Sequence, residues 1–136
     1  VLIKRLLNYL RIGSPKVDLL LNTKELEPGE KVTGTFLLKS GWFEQKISRL
    51  ECDLVRHYSS ERPEVIEPVK TVLMSHSFPP NSQKSIAFQY RLPVDLPPSS
   101  DQVMYQLKTK LVMTDDIHSF DHDEIVVVNF IKENMG

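Results

Sequence analysis

Two periodicities divide the chain. Over the first ten residues Leu2, Leu6 and Leu10 recur at every fourth position, with Ile3 and Leu7 beside them and Lys4, Arg5 and Arg11 opposite. That spacing predicts a short amphipathic helix over 1–14, ended by Gly13 and Pro15. From Val17 onward the period falls to two. Val17, Leu19 and Leu21 share one face of an extended run, with Leu20 on the other. Glu27-Pro28-Gly29-Glu30 reads as a turn, since Pro presets the first central position and Gly supplies the positive φ at the second. Val32, Gly34, Phe36 and Leu38 then alternate with Lys31, Thr33, Thr35 and Lys39, which predicts a hairpin. Gly34 within that strand marks a bulge or a close backbone approach.

The alternation continues to the end of the chain. Gln45 to Tyr58 places Leu50, Cys52, Leu54 and Tyr58 on one side and Arg49, Glu51, Asp53 and His57 on the other, a half-solvated strand. Ser59 to Glu64 is polar, contains Pro63 and is expected to loop. Val69 to Phe78 resumes through Val72, Met74 and Phe78, and Pro79-Pro80-Asn81-Ser82 turns the chain. Ile86, Phe88, Tyr90 and Leu92 form the cleanest apolar face. The three prolines between Pro93 and Asp101 exclude a central strand there. Val103, Tyr105, Leu107, Leu111 and Met113 alternate with Gln106, Lys108 and Lys110; after an acidic loop, Ile125 to Ile131 is an almost wholly apolar last strand, expected to be buried on both faces or nearly so. Seven strands and one short helix predict an antiparallel two-sheet β-sandwich, immunoglobulin-like in broad architecture, over 15–136.

Composition narrows the functional classes. The 136 residues carry 17 Lys+Arg against 18 Asp+Glu, a formal net charge of −1. Basic residues are dispersed among acids along the strands, so nucleic acid is not an expected partner. The single cysteine, Cys52, forms no internal disulfide and suits a reducing cytoplasm. No run of about 18 apolar residues is present to span a membrane as a helix. The amphipathic stripe of 1–14 is expected to pack on the domain or on a partner subunit. The alternative lays it on an anionic membrane surface through Lys4, Arg5 and Arg11, as a peripheral anchor.

Candidate chemistry is sparse. Asp115, Asp116, Asp121, Asp123 and Glu124 surround His118 and His122, but four-residue spacing aligns ligands on a helix, and this segment reads as a solvated acidic turn. It lacks the pattern of an EF-hand loop. Cys52 shares its face with Leu50 and Leu54 and is expected to be inert, with His57 on the opposite face and His76 semi-buried beside Met74 and Phe78. Trp42-Phe43 either caps the end of the sandwich, the favoured reading, or forms an exposed recognition patch. No catalytic, cofactor-binding or metal-ligating residue is assigned, and no cofactor is expected.

Short signatures in order also carry a resemblance. Ile12-Gly13-Ser14-Pro15-Lys16-Val17-Asp18, followed by Pro28-Gly29-Glu30-Lys31-Val32-Thr33-Gly34, resembles the opening of the bacterial sporulation-control protein family (SpoOM). Ile86-Ala87-Phe88-Gln89-Tyr90-Arg91-Leu92-Pro93, followed by Asp95-Leu96-Pro97, is similar to the Phe-x-Phe-x-Leu-Pro connection of arrestin-like domains. Val103 to Val128 is similar to the long strand, acidic hairpin and further strand that close this lobe. The resemblance implies an arrestin-like N-terminal lobe, followed in the family by a second lobe, in a cytoplasmic regulator of sporulation or stress physiology. It transfers no catalytic motif and no ligand. The expected function is therefore a non-enzymatic module that binds a protein partner, with self-association expected through the edge of Ile125 to Ile131.

Overall fold

The computed structural model describes residues 15–42, 44–75, 77–114 and 117–129. The helix expected over 1–14, Phe43, His76, Asp115, Asp116 and the end of the last apolar run lie outside them. The described residues form nine strands: β1 (Lys16–Leu21), β2 (Glu25–Leu26), β3 (Lys31–Lys39), β4 (Gln45–Tyr58), β5 (Glu64–Leu73), β6 (Ser77–Phe78), β7 (Gln83–Arg91), β8 (Val103–Met113) and β9 (His118–Val127). One sheet has the order β1-β3-β7; the other runs β2-β9-β8-β4-β5, with β6 paired to β4. Among the described residues no helix is long and apolar enough to cross a membrane.

The expected hairpin is present. β1 and β3 pair antiparallel with Leu19 opposite Phe36 and Leu21 opposite Gly34. Gly29 takes φ 81°, and the Glu30 amide donates to the Glu27 carbonyl at 3.0 Å. Gly34 marks a close approach and not a bulge: both of its neighbouring ladders run without a register shift, and a Cβ there would lie 2.3 Å from the Leu20 carbonyl oxygen.

Three expectations need correction. The sheets are not wholly antiparallel, because the connection inside the hairpin crosses over as β2 and pairs parallel with β9, Glu25 opposite Val126 and Leu26 opposite Val127. Two residues are too few to leave a periodic trace, although Leu26 is fully buried. The strand expected from Val69 begins at Glu64 and runs through Pro68. Pro68 is tolerated because β5 is an edge strand whose register shifts beside it, between Cys52 and Asp53 of β4. The last strand begins at His118, not Ile125, since β8 pairs with it residue by residue through the polar segment.

Inward residues of both sheets meet in one core. Val17, Leu19, Val32, Phe36, Leu38 and Phe88 come from the three-stranded sheet; Leu50, Leu54, Tyr105, Leu107, Leu111 and Ile125 come from the other. Phe36 and Phe88 pack edge-on with ring centroids 5.1 Å apart. The proline-rich connection is drawn in as well. Leu92 and Leu96 are buried, and the Tyr105 hydroxyl donates to the Pro97 carbonyl at 2.7 Å. In β9 and just beyond it Ile125 and Val127 are buried, while Val126 and Val128 are half-buried, close to the expected double-sided burial.

Candidate functional site

A group of three carboxylates forms where β1 of one sheet meets β9 of the other. Alternation along β9 decides what enters it. Asp121, Asp123, Ile125 and Val127 share one face, and the last two are buried in the core. The cross-strand register extends each aspartate into a row. Cys52 lies opposite Thr109, which lies opposite Asp121. Leu54 lies opposite Leu107, which lies opposite Asp123. The Asp123 carboxylate is therefore held at the margin of an apolar layer whose two leucines are fully buried.

Asp121 reaches across to the other sheet, where its Oδ2 accepts the Leu19 amide of β1 at 2.7 Å. An edge strand leaves alternate amides unpaired, and this side chain satisfies one of them. Asp18, the preceding residue, completes a trio: one carboxylate oxygen from each of Asp18, Asp121 and Asp123 lies within 4.8 Å of the other two. Burial pushes the Asp123 carboxyl up to about 7, helped by hydrogen bonding to Asp121 and by the charges of Asp121 and Asp18, while Lys24 pulls the other way. Asp18 is raised too, by burial first and then by Asp121, against the opposing charges of Lys39 and Lys24. Asp123 Oδ2 is buried with no hydrogen-bond donor.

Two chemistries suit three convergent carboxylates: a hard cation or a shared proton. Calcium or magnesium takes about six or more oxygens, whereas this trio supplies three side chains, one already accepting an amide. A proton held between carboxylates needs only two of them, one partly desolvated, and that condition is met here.

The sequence expectation of a solvated acidic turn over 115–124 is thus corrected from His118 onward, where the chain is a strand. His118 and His122 do not join the aspartates. They lie on the other face of β9 around Phe120, edge-on at 6.0 Å for His118 and stacked at 6.5 Å for His122, with the Lys108 ammonium 5.4 Å from the ring centroid. Four strand residues span about 13 Å, too far for both imidazoles to hold one ion. Asp18 was not singled out from the sequence, because only tertiary pairing brings β1 to β9. Asp121 and Asp123 had a readable signal: stepping back in twos from Val127 and Ile125 puts both on the core-facing side.

The remaining candidates are accounted for. Cys52 is buried, its thiol is pushed up to about 12 chiefly by burial, and Thr109 Oγ1 is 3.6 Å from its sulfur. His57 Nε2 lies 3.0 Å from Gln106 Oε1. Trp42 is 62% exposed, so it does not fold back over the end of the sheets as expected. A cleft of about 400 Å³ lies between the β2–β3 turn and the proline-rich connection, lined by Glu27, Pro28, Val94, Asp95, Leu96, Val128 and Asn129.

Comparison with known proteins bears on this architecture. A curated relative, the sporulation-control protein of Bacillus subtilis (strain 168), is 29% identical over 130 residues, 91% of this chain and 50% of that protein. The crystal structure of the sporulation control protein from Bacillus subtilis matches with a TM-score of 0.79 at 28% identity, over 92% of this chain and 57% of that one. The chain thus spans about half the length of the curated relative it matches. A structure whose protein is described as catalysing macrocyclization in alchivemycin A biosynthesis matches with a TM-score of 0.59 at 9% identity, over 86% of this chain and 90% of that one, a likeness of fold alone. Residues 3–131 match the SpoOM protein family from before β1 to beyond β9, and the chain belongs to that family.

Proposed function

We propose that this chain is a regulatory, non-enzymatic module of sporulation control, built as an arrestin-like β-sandwich and acting in the cytoplasm by binding a protein partner. The observation that carries the reading is the family match over residues 3–131, joined to a relative named for sporulation control. The way the chain uses its reactive groups supports it. The cysteine is sealed beneath Thr109, the tyrosine hydroxyls of residues 90 and 105 are bonded to Glu67 and the Pro97 carbonyl, and Asp121 ties two sheets together. Each of these groups is engaged in holding strands or their connections. Edge strand β5 exposes Val65 and Leu73, the kind of border on which a partner's strand adds through main-chain hydrogen bonds. Pairing between copies through the final strand would have to displace β2 from Val126 and Val127.

Crosslinking and affinity capture of the full-length protein from cells of its native host tests the proposal. Reproducible recovery of one protein partner supports it. Saturable turnover of a metabolite by the purified protein, or the absence of any captured protein across growth stages, would overturn it.

A further inference from the structure

The hydrogen bond from the Leu19 amide to Asp121 is a direct polar tie between the two sheets at the β1–β9 margin. Its acceptor stands beside two more carboxylates on a margin that is open to water on one side and closed by Leu54 and Leu107 on the other. We propose that this margin is a proton-operated fastening: β1 is held against β9 while Asp123 keeps its proton beside Asp121, and it loosens when that proton leaves for solvent.

The groups facing the tie come from every neighbouring element. β1 contributes Asp18, and the connection after it contributes Lys24. β3 ends at Lys39, which acts on Asp18. β8 presents Thr109 and Leu107 opposite the two aspartates, and β4 presents the Cys52 thiol behind Thr109. His118, His122 and Lys108 belong to the other face of the sheet, around Phe120. With Asp123 protonated, the margin carries two negative charges against two lysines. With the proton gone, three carboxylates within 4.8 Å repel one another, and buried Asp123 Oδ2 has no donor to compensate it. Asp18 is carried by β1 and Asp121 and Asp123 by β9, so this repulsion acts directly to part the two strands.

The sign follows from linkage. A carboxyl held near 7 in the fastened margin, against about 4 in an open chain, binds its proton more tightly when the margin is closed. Closure is therefore favoured at acid pH, weakens as pH rises from about 4 through 7, and levels off above. β1 is an edge strand of six residues, so its opening is a local event visible at its amides.

Hydrogen exchange of the whole chain in EDTA, expressed as protection factors so that intrinsic rates cancel, tests the idea. From pH 6 to pH 8 the Leu19 amide and its β1 neighbours should lose about tenfold in protection while β4 and β8 keep theirs. Asp123→Asn, which mimics the protonated carboxyl in shape, should retain the high protection at pH 8 and abolish the step. β1 protection that does not change with pH, or a step that survives Asp123→Asn, overturns the proposal. Should that variant fold poorly, carboxyl-carbon NMR titration of the unaltered protein decides: a step near neutrality at Asp123 supports it, and full ionisation of Asp123 by pH 5.5 overturns it. Recovery of protection at pH 8 on adding millimolar calcium or magnesium would also overturn it, in favour of a bound cation.

Discussion

Replacing Gly34 by alanine should cost this chain more stability than any ordinary surface change, for a reason visible in one distance. The new Cβ would sit 2.3 Å from the Leu20 carbonyl oxygen and 3.1 Å from the Leu21 Cα. An unstrained carbon–oxygen contact needs about 3.3 Å, so β1 and β3 must part by roughly 1 Å where Leu21 faces Gly34. Both obstacles are backbone atoms, which no side-chain rotation can relieve. The movement would pull on Leu19, which is 2% exposed on the core side of β1. Overpacking of this kind costs about 1–3 kcal/mol. Alanine returns about 0.4–1 kcal/mol by restricting the unfolded chain, because Gly34 does not occupy the positive-φ region that excludes a side chain. The expected net loss is about 1–2 kcal/mol. In urea, with a slope of about 1.5 kcal/mol per molar, the midpoint should fall by roughly 1 M at unchanged slope. A midpoint within about 0.2 M of the parent would refute the steric argument, and a rise would show that the two strands separate freely.

Three further outcomes are expected. Tyr105→Phe leaves the Pro97 carbonyl without its donor and should destabilise by about 1–2 kcal/mol; in thermal unfolding, an unchanged midpoint would show that the bond contributes nothing net. Leu54→Ala empties a site that is 0% exposed in the shared core and should cost about 2–5 kcal/mol by chemical denaturation. With its thiol pushed up to about 12, Cys52 should be thiolate in about one molecule in ten thousand at pH 8. A disulfide reagent should therefore modify it far more slowly in the native protein than in denaturant, and equal rates would contradict its burial.

The parts of the fold that were legible in the sequence are those where one strand face is apolar and the other polar. Leu50, Cys52 and Leu54, or Val103 to Met113, announce their inner face through period two, and all-β architecture follows. The turn at Pro28-Gly29 and the close approach at Gly34 were equally readable, since each uses a residue whose backbone or missing side chain has a single purpose. The failures share a different physics. β2 is only two residues long and is made by its partner, not by its own pattern. The first half of β5 shows no clean alternation ahead of Val69, and its proline is accommodated only because β5 is an edge strand beside a register shift. The stretch from His118 to Glu124 is polar on both faces, a composition shared by solvated turns, and this masks its alternation. Its strand character comes from pairing with β8, and its aspartates face inward at a margin where burial is incomplete. The trio at that margin was illegible as a unit, since Asp18 and Asp121 are brought together only by the meeting of two sheets.

The parallel pairing of Leu26 with Val127 has a consequence for how the fold is made on the ribosome. All residues of the three-stranded sheet have been synthesised by Arg91, so that sheet can assemble early. Leu26 has no strand to lie on until the end of β9 emerges, and the β9-facing side of β1 stays uncovered for the same interval. Pairing between such distant segments closes slowly. A nascent chain paused after β8 would therefore present an unfinished apolar flank, where a chaperone or another chain could bind before the last strand arrives.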